Sequence, residues 1–508
     1  MARLPQPAKK SYFFEKGYLD LWNTVKGAWT RNLDSVSVYK DNITAAPGSG
    51  GKIKVVGQIV INVMAMVAVL VFGSLLTVGL SLLNVAVLLL FMLFVYIGFT
   101  LAWAADRVYL LRKRIFTACH ECKERMLIPT YLCPKCGVEH TSLTSGVYGI
   151  LRRTCTGIGG AGCGQVLPTT FFTVVDGKRR RDHAAICANP DCKAPLTDRE
   201  SVPICIPIVG GRSVGKTAFI TAFSHDFISK VAPAKGWGIS PYNSAKQQIY
   251  NRILSDYSTG DTTLTERQTD ITKASSVSFS FFVNGPEFEP DRLVHVYDIA
   301  GEVFTDNIEN EMQRQYEFCH GIVLVIDPFA IPDVRARLES QLTPEDVAGI
   351  GTAEIGTIID AFLNKLREVT GLRDNEMSAT PLAVVISKID SAGLFMEFSP
   401  GKIKAMMAQD PERYNNQTDI QDYLCRKFLK DNGMGALVNS VNLRFRNNRF
   451  FPCSAIGHTR NAGAYNPKGI MQPMEWIFRN ADPVMAKLWT NTPFTQKPFA
   501  RAMTEEEL

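Results

Sequence analysis

From Val55 to Ala105 the chain carries no Asp, Glu, Lys, Arg or His, a run of 51 residues in a chain of 508. As one helix this run would be about 76 Å long at 1.5 Å per residue, against a hydrocarbon core of about 30 Å. Two spans of about 20 residues each match that thickness better. Gly79, Ser81 and Asn84 supply a break, so the pattern predicts a transmembrane helical hairpin, residues 55–77 and 82–103, within a segment 53–105. A secretory signal would lie in the first 15–30 residues and be shorter. Lys52 and Lys54 precede the run, and Arg107, Arg112, Lys113 and Arg114 follow it. Both flanks are basic and the turn is neutral, which puts both termini on the cytoplasmic side.

The segment before it, residues 1–52, is mixed. Phe13, Phe14, Tyr18, Leu21, Trp22, Val25 and Trp29 alternate with Lys16, Lys26 and Arg31 at close to helical spacing, which predicts an amphipathic helix. Two placements are open for it, the membrane surface or the side of a cytoplasmic domain. Residues 45–52, rich in Gly, Pro and Ser, read as a linker. The net charge of +6 suits an anionic surface or a phosphate ligand and selects neither.

Eight of the twelve cysteines lie between Cys119 and Cys192; the other four, Cys205, Cys319, Cys425 and Cys453, are scattered. Clustered CxxC pairs in a long chain point to metal rather than to disulfides. Cys119, Cys122, Cys133 and Cys136 form two knuckles ten residues apart. Four thiolates at about 2.3 Å suit a closed tetrahedral Zn²⁺ shell. His120 and His140 are nearby, but the four thiolates already complete the shell. Cys155, Cys163, Cys187 and Cys192 form a second, looser set around a Gly-rich arm, residues 157–162. Residues 115–198 are thus expected to be a double zinc ribbon, and the two sets could also interleave. Lys178, Arg179, Arg180 and Arg181 make a short basic run. It reads as a solvated hairpin tip or as a contact to lipid headgroups or nucleic acid. No basic stripe interleaved with aromatics accompanies it, so nucleic acid is not an expected partner.

Residues 203–209 are a short apolar run, consistent with a buried parallel strand. Gly210, Gly211, Arg212, Ser213, Val214, Gly215, Lys216 and Thr217 follow, and then a helical stretch, 218–228. This is GxxxxGK[ST] between a strand and a helix. Glycines let backbone N–H groups curl around a phosphate, and the following helix N-terminus favours an anion. Lys216 would reach the β- and γ-phosphates, and Thr217 would offer its hydroxyl to Mg²⁺. Asp298, Ile299, Ala300 and Gly301 end another apolar run. Asp298 is placed to hold Mg²⁺ through water, and the Gly301 N–H to meet the γ-phosphate.

A third strand, 382–386, leads into Ser387, Lys388, Ile389 and Asp390. This closely resembles the guanine-reading [NT]KxD of Ras-like GTPases. The resemblance implies that Asp390 accepts both guanine N–H edges and that the Lys388 stem covers the base. Ser387 departs from the usual Asn or Thr, which weakens the expected tie between loops. Residues 450–453 followed by Ser454 and Ala455 resemble the last GTPase motif, whose backbone N–H meets the guanine oxygen. The four motifs cover residues 203–456 and place a domain, 201–490, in the Ras-like, translation-factor-related class. The implied fold is α/β, a mostly parallel sheet with helices on both faces. Residues 466–478, NPKGIMQPMEWIF, also resemble the double-GTPase family of bacterial conflict systems. That likeness implies a microbial protein at the inner membrane, acting with partners from neighbouring genes. The tail, 491–508, is polar and is assigned nothing.

Two features bear on turnover. Glu302 stands where many Ras-like enzymes have a water-orienting Gln, so hydrolysis is expected to be slow unless a partner or self-association completes the site. A switch threonine should close over Mg²⁺; of Thr263, Thr265, Thr269 and Thr272, Thr269 is preferred and Thr272 is next. Three readings follow: a membrane-tethered GTPase switch for an activator and effector, a hydrolysis-poor GTP-binding scaffold, and an NTP-driven transporter or channel component.

Overall fold

The computed structural model describes residues 7–48, 51–242, 278–298, 319–342, 376–458 and 465–489. A few positions inside those ranges, His120 and Arg212 among them, are outside the description, and isolated residues elsewhere are within it. The chain divides into two compact units, Met1–Glu200 and Ser201–Leu508.

In the first unit the amphipathic segment forms helix α1, Lys16–Ala45. The apolar run does not form the expected hairpin. It is a single helix, α2, Lys52–Arg112, the one helix among the described residues long and apolar enough to cross a membrane. Gly79, Ser81 and Asn84 lie inside it without breaking it. A lone glycine costs a helix only about 1 kcal/mol, and Leu, Ala and Val on either side carry the helix through. The Ser81 hydroxyl turns back to donate to the Thr77 carbonyl at 2.6 Å. The sole irregularity is a π-turn at Val69–Gly73.

Helix α1 instead runs antiparallel along α2. Asn32 Nδ2 donates to Thr77 Oγ1 at 2.6 Å and to the Gly73 carbonyl at 3.1 Å, beside the π-turn. Farther along, Phe13 meets Phe91, and Phe14 meets Tyr96 and Phe99. A two-span topology with both termini on one side therefore has no support.

Ten short strands follow among the described residues. β1 (Thr117–Ala118) and β2 (Arg125–Met126) pair, as do β5 (Arg152–Thr154) with β6 (Val166–Pro168) and β7 (Val174–Val175) with β8 (Lys178–Arg179). β3 (Thr130–Leu132), β4 (Glu139–His140), β9 (Ala185–Ile186) and β10 (Pro195–Leu196) form a sheet in the order β10-β9-β3-β4.

The second unit is built on one seven-stranded sheet. Its strands are β11 (Val202–Val209), β12 (Gly238–Pro241), β13 (Ser278–Asn284), β14 (Arg292–Asp298), β15 (Ile322–Ile326), β16 (Leu382–Ile386) and β17 (Asn448–Pro452). The order is β12-β13-β14-β11-β15-β16-β17. From β14 to β17 every neighbour is parallel, and β12 and β13 add an antiparallel edge. Side chains alternate between two buried faces. Ile322, Leu324 and Ile326 join the core on one face, and Val323 and Val325 join the core on the other. Leu382, Val384 and Ile386 oppose Ala383 and Val385 in the same way. Such unbroken apolar strands are what a parallel sheet covered on both sides requires. Helix α3, Lys216–Asp226, and helix α5, Met471–Ala481, lie on one face with Phe223, Phe227 and Phe478; helix α4, Gln417–Asp431, lies on the other with Leu424 and Phe428. Arg292 at the start of β14 pairs with buried Asp482 at 2.5 Å, tying the end of the domain to its sheet.

Candidate functional site

The carboxyl ends of β11, β14, β15, β16 and β17 gather on one rim, where ligands bind in open α/β sheets. After β11 the chain turns through Gly210, where an added Cβ would lie 2.5 Å from the Val325 carbonyl oxygen. Only glycine lets the loop pass that close to the neighbouring strand. Gly215, at φ 94°, then turns the backbone into α3. Lys216 is buried, and its ammonium donates to the carbonyls of Gly210 at 3.0 Å and Gly211 at 2.7 Å. The loop and its lysine thus already form a closed cradle. Thr217 Oγ1 donates to Asp298 Oδ2 at 2.7 Å. The parallel register of β11 and β14, with Ile208 beside Asp298, brings the two oxygens together. A hydroxyl and a carboxylate side by side are a hard oxygen pair of the kind Mg²⁺ takes.

The β16 corner clasps this loop. Ser387 Oγ lies 2.8 Å from the Val214 carbonyl and 3.0 Å from that of Ile326. The smaller side chain still makes the tie that its departure from Asn or Thr put in doubt. Lys388 Nζ donates to the Ser213 carbonyl at 2.9 Å and to Asp327 Oδ2 at 2.6 Å. Asp390 is half-buried at the start of the turn Ser391–Phe398. Ser454 is buried, and its hydroxyl accepts the Gly457 N–H at 2.7 Å. Ala455 follows at the edge of the core.

Two contributors went unread in the sequence. Asp327 ends an apolar run, 321–326, as apolar as those before Asp298 and Ser387. Lys468 exchanges backbone hydrogen bonds with Ser454 at 2.9 and 2.8 Å, and Asn466 donates to Ile456 at 2.7 Å. The NPKG segment therefore braces the Ser454–Ala455 loop. Arg212, Gly301, Glu302, Thr263, Thr265, Thr269 and Thr272 lie outside the described residues.

Residues 204–435 match the family Double-GTPase 2. They form a P-loop GTPase domain of the double-GTPase type. The match spans under half of the chain and does not include the 466–478 segment. No match is found among curated proteins. Among solved structures, the S. cerevisiae Ski7 GTPase-like domain bound to GTP is 14% identical with a TM-score of 0.26, over 55% of this chain and 50% of that one. The LeoA bacterial dynamin GTPase from ETEC is 14% identical with a TM-score of 0.23, over 57% and 37%. This chain therefore spans half or less of those proteins.

Outside the double-GTPase domain, the eight clustered cysteines gather as two groups of four. The grouping differs from the expected one. Cys119 and Cys122 meet Cys187 and Cys192, while Cys133 and Cys136 meet Cys155 and Cys163. The interleaved arrangement is the observed one, and strand direction explains it. β3 and β9 are antiparallel, so Cys133 after β3 and Cys187 after β9 leave opposite ends of the sheet. The Cys119–Cys192, Cys122–Cys187, Cys133–Cys163 and Cys136–Cys155 sulfur pairs are 3.7, 3.6, 3.6 and 3.6 Å apart. These are far longer than a disulfide of about 2.05 Å. They are close to the roughly 3.8 Å edge of a tetrahedron with 2.3 Å metal–sulfur bonds. His140 belongs to neither group. Burial, with Arg153 beside it, pushes its imidazole down to about 4 and holds it neutral.

The basic run is corrected too. Lys178 is exposed at the β7–β8 hairpin, but Arg180 has no exposed surface. Its Nε donates to Glu200 Oε1 at 2.6 Å, and its Nη1 donates to Asp106 Oδ2 at 3.0 Å and to the carbonyls of Thr169 and Leu143. Two buried acids far away in sequence pull it inside.

Proposed function

We propose that this chain is a GTP-binding protein that hydrolyses GTP slowly and acts as a switch at a membrane. The observation that carries the nucleotide reading is the clasp of Ser387 and Lys388 on the carbonyls of Val214 and Ser213. It couples the base-reading corner to the phosphate loop. Gly210, Gly211, Arg212, Ser213, Val214, Gly215 and Lys216 would wrap the phosphates, with the Lys216 ammonium leaving its loop carbonyls for the β- and γ-oxygens. Asp390 would accept guanine N1–H and N2–H. Adenine offers an acceptor at that edge, so the buried side of the carboxylate would be left facing a lone pair. The backbone of Ala455 would meet the guanine oxygen.

Thr217 and Asp298 are the residues that would hold Mg²⁺, with Thr269 or Thr272 from the switch segment. The ion supplies neutralisation of charge between the β- and γ-phosphates. Glu302 would orient the attacking water, and its own negative charge opposes the charge that builds on the γ-phosphoryl oxygens. The two cysteine groups would each hold one structural Zn²⁺, and α2 would anchor the chain in a bilayer. Activator and effector proteins would read the switch. Glu302 also supports a second reading, a GTP-holding scaffold that recruits partners without turnover.

The test is equilibrium binding of GTP and ATP to the full-length protein and to Asp390→Asn. GTP is expected to win in the parent and to lose its advantage in the variant. An Asp390→Asn protein that binds GTP as the parent does would remove the guanine assignment.

A further inference from the structure

We infer that Asp327 is a positioning residue for the nucleotide base, holding Lys388 where its stem forms one wall of the base site. The inference rests on the guanine-nucleotide reading above and adds the group that preorganises it. Asp327 stands directly after β15, and the parallel register of Ile326 with Ile386 sets it beside the β16 corner. Its carboxylate has no exposed surface. Oδ1 accepts the Phe329 N–H at 3.0 Å, which fixes the carboxylate plane on its own turn. Oδ2 accepts Lys388 Nζ at 2.6 Å. The same ammonium donates to the Ser213 carbonyl of the P-loop at 2.9 Å.

The consequence follows from the chemistry of lysine. A free lysine is a point charge on a flexible four-carbon stem, and a stem that wanders is a poor wall for a planar ring. Here both ends are fixed. Lys388 has a left-handed backbone at φ 52°, and its partner Ser213 has one at φ 59°. Residues other than glycine keep such conformations only where the surroundings impose them. The head is fixed by a buried carboxylate that cannot turn to solvent. Between the two, the stem spans from the β16 corner to the phosphate loop. Ordering it before the nucleotide arrives removes that entropic cost from binding. Among the described residues Asp327 reaches the phosphate loop only through Lys388, so its contribution should be confined to ligands that carry a base.

The experiment measures binding of GTP, GDP and inorganic tripolyphosphate to the full-length protein. Asp327→Asn keeps the shape and the acceptor for Phe329 and removes the charge. It is expected to weaken GTP and GDP at least roughly tenfold, the worth of one charge-assisted hydrogen bond, and to leave tripolyphosphate unchanged. Lys388→Met should weaken GTP similarly, and adding Asp327→Asn to it should change nothing further. Three results would overturn the role: no loss of GTP affinity in Asp327→Asn, an equal loss for tripolyphosphate, or the full loss repeated on the Lys388→Met background. Asp390→Asn separates the two layers. Unchanged GTP affinity there removes the guanine reading. Lost affinity there, with none lost at Asp327→Asn, removes only the role of Asp327.

Discussion

An arginine without exposed surface is stable only where acceptors surround it, and Arg180 has Asp106, Glu200 and two carbonyls. Asp106 is itself fixed by the Phe171 N–H at 2.7 Å. Removing the arginine would leave two buried carboxylates without the guanidinium that they hydrogen-bond. Breaking such a group costs about 3–5 kcal/mol, so Arg180→Ala should melt the first unit well below the parent temperature. Arg181→Ala, one position on and against Phe171 at the rim, should shift stability by less than about 0.5 kcal/mol. Differential scanning of the full-length variants reads both. Equal melting of Arg180→Ala and the parent would mean that the triad is not structural. In sequence Lys178, Arg179, Arg180 and Arg181 look alike. Arg180 opens a one-turn 3-10 helix directly after β8, and the acids that select it lie 74 and 20 residues away, beyond the reach of local pattern.

At the scale of elements, local signals carried far. The apolar runs before the P-loop, Asp298, Ser387 and Ser454 are strands β11, β14, β16 and β17 within one or two residues of their expected limits. Residues 321–326 carry the same apolar signal, but no motif follows them to mark Asp327. The helical run went wrong for a physical reason. Thickness matching favours two spans, whereas nothing at Gly79 or Asn84 stops hydrogen bonds from propagating. Cysteine knuckles were legible from their spacing, but their pairing depends on the antiparallel contact of β3 and β9, across some 55 residues. That pairing makes a sharp prediction. The full-length protein should hold two zinc ions. Cys119→Ser with Cys187→Ser should lose one of them, because both thiolates serve one group. Cys119→Ser with Cys133→Ser should lose both. Elemental analysis of the purified double variants decides it, and no zinc in the first with one zinc in the second would reject the interleaved arrangement.

At the scale of the whole molecule, the chain joins a P-loop GTPase domain to a unit dominated by an exposed apolar helix and a cysteine module. A nucleotide switch needs two long-lived states, and the lifetime of the GTP state is set by hydrolysis. In the proposed site Lys216 and the loop N–H groups would hold the phosphates, and the attacking water would still need to be oriented. The residue after Gly301 is expected to do that, and in this chain it is Glu302. In the proposed site a carboxylate could accept a hydrogen bond from the attacking water, but it would stand near oxygens whose charge is increasing. Without a partner, single-turnover hydrolysis by the full-length protein is therefore expected to stay below about 1 s⁻¹, under the range of ordinary enzymes. Glu302→Gln removes the charge and keeps the hydrogen-bond reach, so it should hydrolyse GTP faster with unchanged GTP affinity. Rapid-quench measurement on parent and variant gives both numbers. A parent rate above that limit, or a variant slower than the parent, would show that Glu302 assists hydrolysis, and the restraint on the switch would then have to come from nucleotide release.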